Sequence, residues 1–452
     1  MTLFFRLTAL VIAISACLPV HADGILGIDG EEATSVGIYI KDLATGKVIV
    51  DYNASVALTP ASVTKAVTTA TALSLLGPDY HFETRVGLSG ARSPRNNSLW
   101  EGDIVIVSSG DPSLDSDQFK SSRGFADSIV SRLSRMGIRE ITGGVAIIET
   151  MKDPGPIPQW ECEDIAWPYG AGLYGFNYAG NYVRAYPNKG TTRPASGLKI
   201  TVLPSPDDGS DIMRGVNAHN LTVWAPAKTR RNADWSLNVT VPDPAAVFEG
   251  VLIGKLNAAG IKTGRKLTGN DLVAGTAVYT GRSPSSAAIM RNLMKRSDNL
   301  FAEGMLRALD PAGSRSDCLK IEREFWNSHG NPTRYTIIND GSGLTRGNKI
   351  SPLFLGRVLE HMIRSEHAND YLNFFPVAGV DGTLKSFLKK TRLKGKLALK
   401  TGSVSAVQSY AGYKLDWEGK PTHVVVVMVN GFFCPRASLR GAIEKFLLKT
   451  FE

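Results

Sequence analysis

The chain has 452 residues, is 43% hydrophobic and 21% charged, and carries a formal net charge of +9. That composition is of an ordinary globular protein, and the length points to two or three domains. The basic excess suits an anionic surface such as a bacterial wall or a membrane. Its cations are spread along the chain with no nucleic-acid motif, so nucleic acid is not an expected partner.

Residues 1–22 read as an export signal, with Arg6 as the charged end, 7–16 as the apolar stretch and Val20-His21-Ala22 as a small-residue cleavage site. The apolar run is too short to span a bilayer. Ile14-Ser15-Ala16-Cys17 is also similar to a bacterial lipoprotein processing site, which would make Cys17 a lipid anchor. The Ala22 site favours soluble export to the periplasm or extracytoplasmic envelope. No later stretch is long and apolar enough for a membrane helix. Without the signal, Cys162, Cys318 and Cys434 remain. An odd number so far apart excludes a disulfide framework, although one pair could form in an oxidising compartment. Neither the cysteines nor the seven histidines show metal-ligand spacing, and no cofactor is expected.

Strands are expected at 36–40 and 48–50 around an Ala44-Thr45-Gly46-Lys47 hairpin. Thr59-Pro60-Ala61 then reads as a helix entry, with Pro60 suited to a first turn. Ser62-Val63-Thr64-Lys65 opens that helix, and 66–76 continues it, small and apolar nearly all round, as in a buried helix. Residues three apart share a helix face, so the Ser62 hydroxyl and the Lys65 amine should meet. A serine alone is a poor nucleophile. A lysine among apolar side chains loses hydration, its pKa falls, and the neutral amine can take the serine proton. The helix N-terminus adds partial positive charge and free N–H groups near a reacting carbonyl. Ser-x-x-Lys alone, however, arises by chance in many helices.

Residues 88–97 read as a polar loop, 104–107 as a buried strand ended by Gly110-Asp111-Pro112, 119–136 as an amphipathic helix and 145–148 as a further strand. This alternation suggests a small α/β unit. From 160 to 241 the texture is β-rich, and 247–259 is helical again. From 285 the chain leads into Ser297-Asp298-Asn299. Tight turns follow at Asp340-Gly341-Ser342-Gly343-Leu344, with Arg346 just after, and at Gly379-Val380-Asp381-Gly382-Thr383-Leu384. Lys400-Thr401-Gly402 extends a strand begun by Leu397-Ala398-Leu399. A strand at 424–429 and a helix at 439–449 close the chain.

Taken singly, Ser297 and Asn299 could be helix caps and Lys400 a solvated strand end. The ordered trio Ser62-x-x-Lys65, Ser297-Asp298-Asn299 and Lys400-Thr401-Gly402 is the signature set of penicillin-binding proteins and class A β-lactamases. The large gap between Ser62 and Ser297 departs from β-lactamases. With Gly110-Asp111-Pro112, Tyr169-Gly170-Ala171, Asp340-Gly341-Ser342-Gly343-Leu344-Thr345-Arg346 and Gly382-Thr383-Leu384, nearly the whole mature chain resembles the class C low-molecular-mass penicillin-binding proteins, of the penicillin-binding protein 4, D-alanyl-D-alanine carboxypeptidase/endopeptidase type.

The resemblance implies an α/β (α+β) penicillin-binding/β-lactamase-like serine transpeptidase domain at 23–87 and 284–452. It also implies an α/β insert at 88–163 and 242–283, and a β-rich domain at 164–241 nested in that insert. It implies peptidoglycan stem peptides as substrate and β-lactams as covalent inhibitors. Ser62 would be the nucleophile and Lys65 the base. Ser297 would relay a proton to the leaving amine, and Asn299 would hold the substrate amide or Lys65. The N–H groups of Ser62 and Ser403 would form the oxyanion hole, while Lys400, Thr401 and Gly402 would receive the terminal carboxylate. Asp164, Tyr169 and Arg346 would read the diamino-acid side chain, although Asp164 and Arg346 equally suit surface ion pairs. Ser403-Val404-Ser405 departs from common family forms. The rival readings are a β-lactamase or esterase, for which no separate Glu motif to activate water is found, and a non-turnover wall-binding or β-lactam-sensing protein, against which the intact motifs argue. Oligomeric state is not legible.

Overall fold

The computed structural model describes residues 24–266 and 275–452; the expected export signal, its Ala22 site and Cys17 lie outside the described residues. The chain divides into two units, one of residues up to 34 together with 432–452, the other of 35–431. In the first, the Glu31 carboxylate accepts the N–H groups of Leu26 at 3.0 and 3.1 Å and of Ile28 at 3.3 Å. The expected terminal helix is Arg436–Thr450, which buries Leu439, Ile443 and Leu447 at helical spacing.

The second unit contains a five-stranded antiparallel sheet. Its order is Leu397–Val404, Val407–Leu415, Pro421–Asn430, Ser35–Asp42 and Val48–Tyr52. The valine run is its middle strand, buried from Val424 to Val429, as an unbroken apolar strand must be when both faces are covered. Alternate residues Val424, Val426 and Met428 share one core with Val63, Ala66, Val67 and Ala70 of the serine segment. The same core takes in Met290, Leu293, Phe301, Met305, Trp326, Leu355 and Leu359 from four further helices.

The helix after Ser62 is Thr64–Leu76, buried from Thr64 to Leu73. Its hydroxyls are reconciled with burial by backbone carbonyls: Thr69 donates to Lys65 O at 2.7 Å, Thr71 to Val67 O at 3.0 Å, and Thr68 to Gly341 O at 2.8 Å.

Between this helix and Ser297, one sheet runs Thr276–Arg282, Glu83–Leu88, Ile104–Val107, Val145–Ile148. The helices Phe125–Arg135 and Pro244–Ala258 share a core with it through Phe125, Ile129, Phe248 and Leu252. Two three-stranded sheets built from strands between 182 and 240 share a different core. Two local expectations are corrected. The amphipathic helix starts at Phe125, because Gly124 adopts a left-handed φ of 84° and separates it from a short 3-10 turn at Lys120–Ser122. The polar stretch at 88–97 carries a short strand, Ala91–Arg92, paired with Leu99–Glu101. Among the described residues no helix is long and apolar enough to cross a membrane.

The helix Arg315–Ser328 brings a wholly buried carboxyl, Glu322, against the serine helix beside Thr71, which also accepts the Trp326 indole N–H at 3.0 Å. Burial, with the nearby Glu303 and Asp340 charges, pushes the Glu322 carboxyl from 4.5 up to about 8, against a lowering contact with Thr71. A raised acid is neutral in the fold where the unfolded chain ionises, so its contribution is present below pH 4.5 and drains away as the pH rises to about 8. Glu322→Gln should therefore gain about 2–4 kcal/mol of unfolding free energy at pH 7.5 and under about 1 at pH 4.5. Denaturant unfolding at the two pH values checks this; an equal change at both would show that Glu322 is held by contacts instead.

Candidate active site

Ser62 lies in a single 3-10 turn, Ala61–Val63, that feeds the buried helix. The residue before it, Ala61, has a left-handed φ of 50°. That conformation costs an L-residue about 1–2 kcal/mol, so surrounding structure must hold it. Two glycines allow the holding elements to approach. A Cβ at Gly343, whose φ is 76°, would collide with the Ala61 carbonyl, and one at Gly402 would meet the Pro60 carbonyl and the Ser62 N–H. The strand carrying Lys400 thus runs directly against the backbone of Ser62.

Lys65 is fully buried one helical turn on. Its Nζ donates to Ser62 Oγ at 2.9 Å, to Asn299 Oδ1 at 2.6 Å and to the Ser342 carbonyl at 2.6 Å. Burial lowers its pKa from 10.5 to about 8, and the charges of Asp340, Glu303 and Asp298 keep it from falling further. The three partners are chemically unequal. Two are carbonyl oxygens, which can only accept; the third is a hydroxyl, which can also donate. A neutral amine therefore keeps its two N–H groups on Asn299 and Ser342 and turns its lone pair toward the Ser62 proton.

Ser297 is the left-handed cap, φ 63°, of the helix Ser286–Arg296. Asp298 caps the next helix, Asn299–Arg307, by accepting the Phe301 N–H at 3.0 Å, and is itself held by Gln118 Nε2 at 2.5 Å. The abrupt junction of two helices projects Ser297 and Asn299 into the site together. Asn299 Nδ2 donates to the Tyr169 carbonyl at 2.7 Å, which leaves Oδ1 for Lys65. Lys400 is fully buried, with Nζ donating to Ser297 Oγ at 2.8 Å and to its own strand at Thr401 O at 2.7 Å. Burial, aided by the Lys65 charge, lowers its pKa well below the usual lysine value. A cavity of about 270 Å³ opens beside Ser297 and Asn299, bounded by Gln118, Tyr169, Tyr182 and Arg296.

Beneath this cluster sits a second, wholly buried one. Asp340 accepts the N–H groups of Gly343 at 2.8 Å and Thr345 at 2.9 Å, the Asn348 amide at 2.7 Å and the Trp160 indole N–H at 2.9 Å. Glu303 accepts the N–H groups of Gly341 at 3.2 Å and Ser342 at 2.8 Å. Burial and the Asp340 charge push the Glu303 carboxyl up. Together they shape the turn whose Ser342 carbonyl faces Lys65. Trp160 also packs with Ile157 and Leu344 in a small apolar cluster.

The structure brings Ser62, Lys65, Ser297, Asn299 and Lys400 into two hydrogen-bonded groups, Ser62–Lys65–Asn299 and Ser297–Lys400, which meet at the helix junction between Ser297 and Asn299. Thr401 Oγ1 bonds Thr383 Oγ1 at 2.9 Å, and the Ser403 hydroxyl is turned to Gln408 Oε1 at 2.8 Å. Asp164 accepts the Tyr169 hydroxyl at 2.9 Å. Arg346 does not meet Asp164; it is paired with Glu161 at 3.5 Å and Glu163 at 3.4 Å. Cys162, Cys318 and Cys434 are free thiols. Sequence reasoning missed Glu303, Trp160 and the carbonyls of Ser342 and Tyr169. The one available signal was that Glu303 follows Asn299 by one helical turn on the same face.

Residues 26–444 match the D-Ala-D-Ala carboxypeptidase 3 (S13) family. The D-alanyl-D-alanine carboxypeptidase DacB of Haemophilus influenzae is 25% identical over 432 residues, covering 89% of this chain and 86% of that protein. A D-alanyl-D-alanine carboxypeptidase of an Actinomadura species is 26% identical over 448 residues, covering 89% and 79%. Among solved structures, penicillin-binding protein 4 of Haemophilus influenzae superposes with a TM-score of 0.79 at 23% identity, over 93% of this chain and 97% of that one. A predatory peptidoglycan endopeptidase of Bdellovibrio bacteriovorus superposes at 0.54 and 17% identity, over 92% of each. These superpositions establish the shared fold, as the three motifs imply. With the family match running through all of Ser62, Ser297 and Lys400, the chain belongs to the D-Ala-D-Ala carboxypeptidase 3 (S13) family.

Proposed function

We propose that this protein is an exported serine D-Ala-D-Ala carboxypeptidase and/or endopeptidase that cuts peptidoglycan stem peptides and cross-links through an acyl-enzyme on Ser62, and that β-lactams acylate the same serine. The observation that carries this reading is the Lys65 amine, which touches Ser62 Oγ and Asn299 Oδ1 at once although Lys65 and Asn299 lie 234 residues apart in sequence. The named activities of the relatives and the family membership support it. The same reading keeps the peptidase domain at 23–87 and 284–452, with the insert at 88–163 and 242–283 and a nested part at 164–241. Separate apolar cores in the two halves of the insert support that division.

Ser62 Oγ attacks the carbonyl carbon of the penultimate D-alanine as its proton passes to the neutral Lys65 amine. The oxyanion accepts the N–H groups of Ser62 and Ser403; losing one such donor typically costs about 3–4 kcal/mol of barrier. Collapse expels the D-alanine amine, which takes up the proton held on Lys65, relayed through the Ser297 hydroxyl, and this returns Lys65 to its neutral form. Lys65 then deprotonates the water that releases the acyl group. Lys400 and Thr401 hold the leaving residue's carboxylate. Asp164, steadied by Tyr169, receives the ammonium of a diamino-acid side chain, and Arg346 its carboxylate by the planar two-oxygen geometry of guanidinium. The test is turnover of a diacetyl-lysyl-D-Ala-D-Ala peptide beside penicillin hydrolysis. Fast penicillin turnover with an inert peptide would assign a β-lactamase instead.

Three outcomes follow from these roles. Mass spectrometry should find a penicilloyl adduct on Ser62 and none on Ser62→Ala; labelling that survives the substitution would remove Ser62 from the chemistry.

The acylation rate should climb with pH through about 8, where Lys65 loses its proton, rather than near 10.5. Lys65→Arg should fall about 10²–10⁴-fold, close to Lys65→Ala, since arginine does not give up its proton. Near-normal acylation by the arginine variant would reduce Lys65 to an electrostatic role.

Asp164→Ala or Arg346→Ala should lower kcat/KM about ten- to a hundredfold on peptides bearing the diamino-acid side chain, and leave penicillin acylation little changed. Parallel losses on penicillin would make both residues supports of the fold.

A further inference from the structure

Residues 382–415 contain no aspartate or glutamate, and their cations are concentrated at Lys385, Lys389, Lys390, Arg392, Lys394 and Lys396. The first five of these are exposed. The backbone beneath them is firmly seated. Leu384, Phe387, Leu388 and Leu393 are buried, and Phe387 stacks on Tyr410 of the central sheet with ring centroids 4.8 Å apart. Turn hydrogen bonds run from Phe387 N to Leu384 O, Thr391 N to Leu388 O and Lys394 N to Thr391 O. Gly395 N and Leu399 N are anchored on Ala378 O and Pro376 O. A charge run is usually a mobile, solvated face; here apolar roots alternate with the cations and fix where they point.

Position makes the cluster relevant to the site. The segment enters through Asp381, ion-paired at 2.6 Å with Lys295 two residues before Ser297. It continues through Thr383, bonded to Thr401, and leaves into the strand Leu397–Val404 that carries Lys400. The outer edge of that strand is covered by Pro376–Ala378 only as far as Leu399; beyond it Thr383 meets Thr401 and Phe387 meets Tyr410, while Lys389 and Lys394 pack against Gly379 near the start of the strand. Among the described residues Lys385, Lys389, Lys390 and Lys394 make no ion pair.

We propose that this lysine-rich loop is a docking platform for polymeric peptidoglycan, engaging the carboxylates of stem peptides that neighbour the one being cut. The inference rests on the proposed function and extends it from the scissile peptide to the polymer that carries it. A single short peptide in the site supplies one terminal carboxylate, which Lys400 and Thr401 receive. A wall fragment supplies a row of further carboxylates along its strand, and a cluster of exposed ammonium groups on an anchored backbone matches that chemistry. Such contacts at a solvated rim act mainly on encounter and weaken with salt, because the Debye length is about 10 Å at 0.1 M ionic strength and about 3 Å at 1 M.

The experiment compares the protein with a Lys385→Gln/Lys389→Gln/Lys390→Gln/Lys394→Gln variant. Binding to insoluble peptidoglycan is measured by sedimentation in the Ser62→Ala background, and kcat/KM on soluble D-Ala-D-Ala peptide with Ser62 intact. At about 50 mM salt the variant should sediment about tenfold or more weakly, and raising salt to about 0.5 M should bring the parent down to it. Blocking the polymer's carboxylates as amides should abolish the difference. Turnover of the short peptide should stay within about twofold. Equal sedimentation of parent and variant would overturn the proposal. So would a matching loss on the short peptide, or stronger retention by anionic phospholipid vesicles than by peptidoglycan. If the parent fails to turn over any peptide while the binding difference persists, the catalytic reading falls and the docking surface stands.

Discussion

A lysine side chain held wholly inside the protein is the constraint to which the rest of this structure answers. Burying an ammonium group unpaired would cost several kcal/mol, so the group either finds partners or surrenders its proton. Lys65 does some of each. Its amine reaches three oxygens, and three carboxylate-bearing residues, Asp340, Glu303 and Asp298, limit how far its pKa falls. The small, apolar serine helix supplies the desolvation; the 3-10 turn at Ser62, the helix start at Asn299 and the turn at Ser342 supply the oxygens. Were the amine more exposed it would stay charged near neutral pH, and were it more isolated it would hold no proton to return to the leaving group.

The carboxylates that matter do not touch the amine. Asp340 and Glu303 spend their hydrogen-bonding capacity on the backbone of the turn at 340–345, and that turn presents a carbonyl to Lys65. A direct carboxylate contact would lock the lysine in its charged form. An intervening peptide passes on a fixed dipole and a fixed position while leaving the proton able to move. The segment between the serine helix and Ser297 joins the same arrangement at three points: the Trp160 indole on Asp340, the Tyr169 carbonyl on Asn299 and the Gln118 amide on Asp298. It is therefore part of the wall that sets geometry and dielectric at the serine, beyond any part it takes in reading substrate.

What was legible in the sequence was what is local. Ser62 and Lys65 share a helix face by spacing. Lys400 extends an apolar strand, and the valine run can only be a covered strand. The paired helix caps that place Ser297 and Asn299 are short-range features too: the cap reading holds for Ser297, while the next helix is capped by Asp298 and Asn299 opens it. What was not legible depends on backbone atoms and distant partners. No side-chain pattern marks the carbonyls of Ser342 and Tyr169, because any residue could supply them. Arg346 illustrates the same limit: the sequence offered it either an incoming carboxylate or a surface ion pair, and its partners in the structure, Glu161 and Glu163, do not stand out in the sequence. The start of the helix at Phe125 was missed for a simpler reason, since Gly124 interrupts an otherwise continuous amphipathic pattern.

The separation in sequence of the groups around Lys65 sets the order in which the molecule can become itself. Asn299 lies 234 residues beyond it and Ser342 277 beyond it, and the strand that presses on Ser62 is later still. An N-terminal fragment that ends before Asn299, whether a nascent chain or a proteolytic product, contains the serine and the lysine but neither the Asn299 and Ser342 oxygens nor the strand that presses on Ser62. Competence therefore waits for the strand Leu397–Val404, the last in sequence of the elements that close on Ser62 and Lys65.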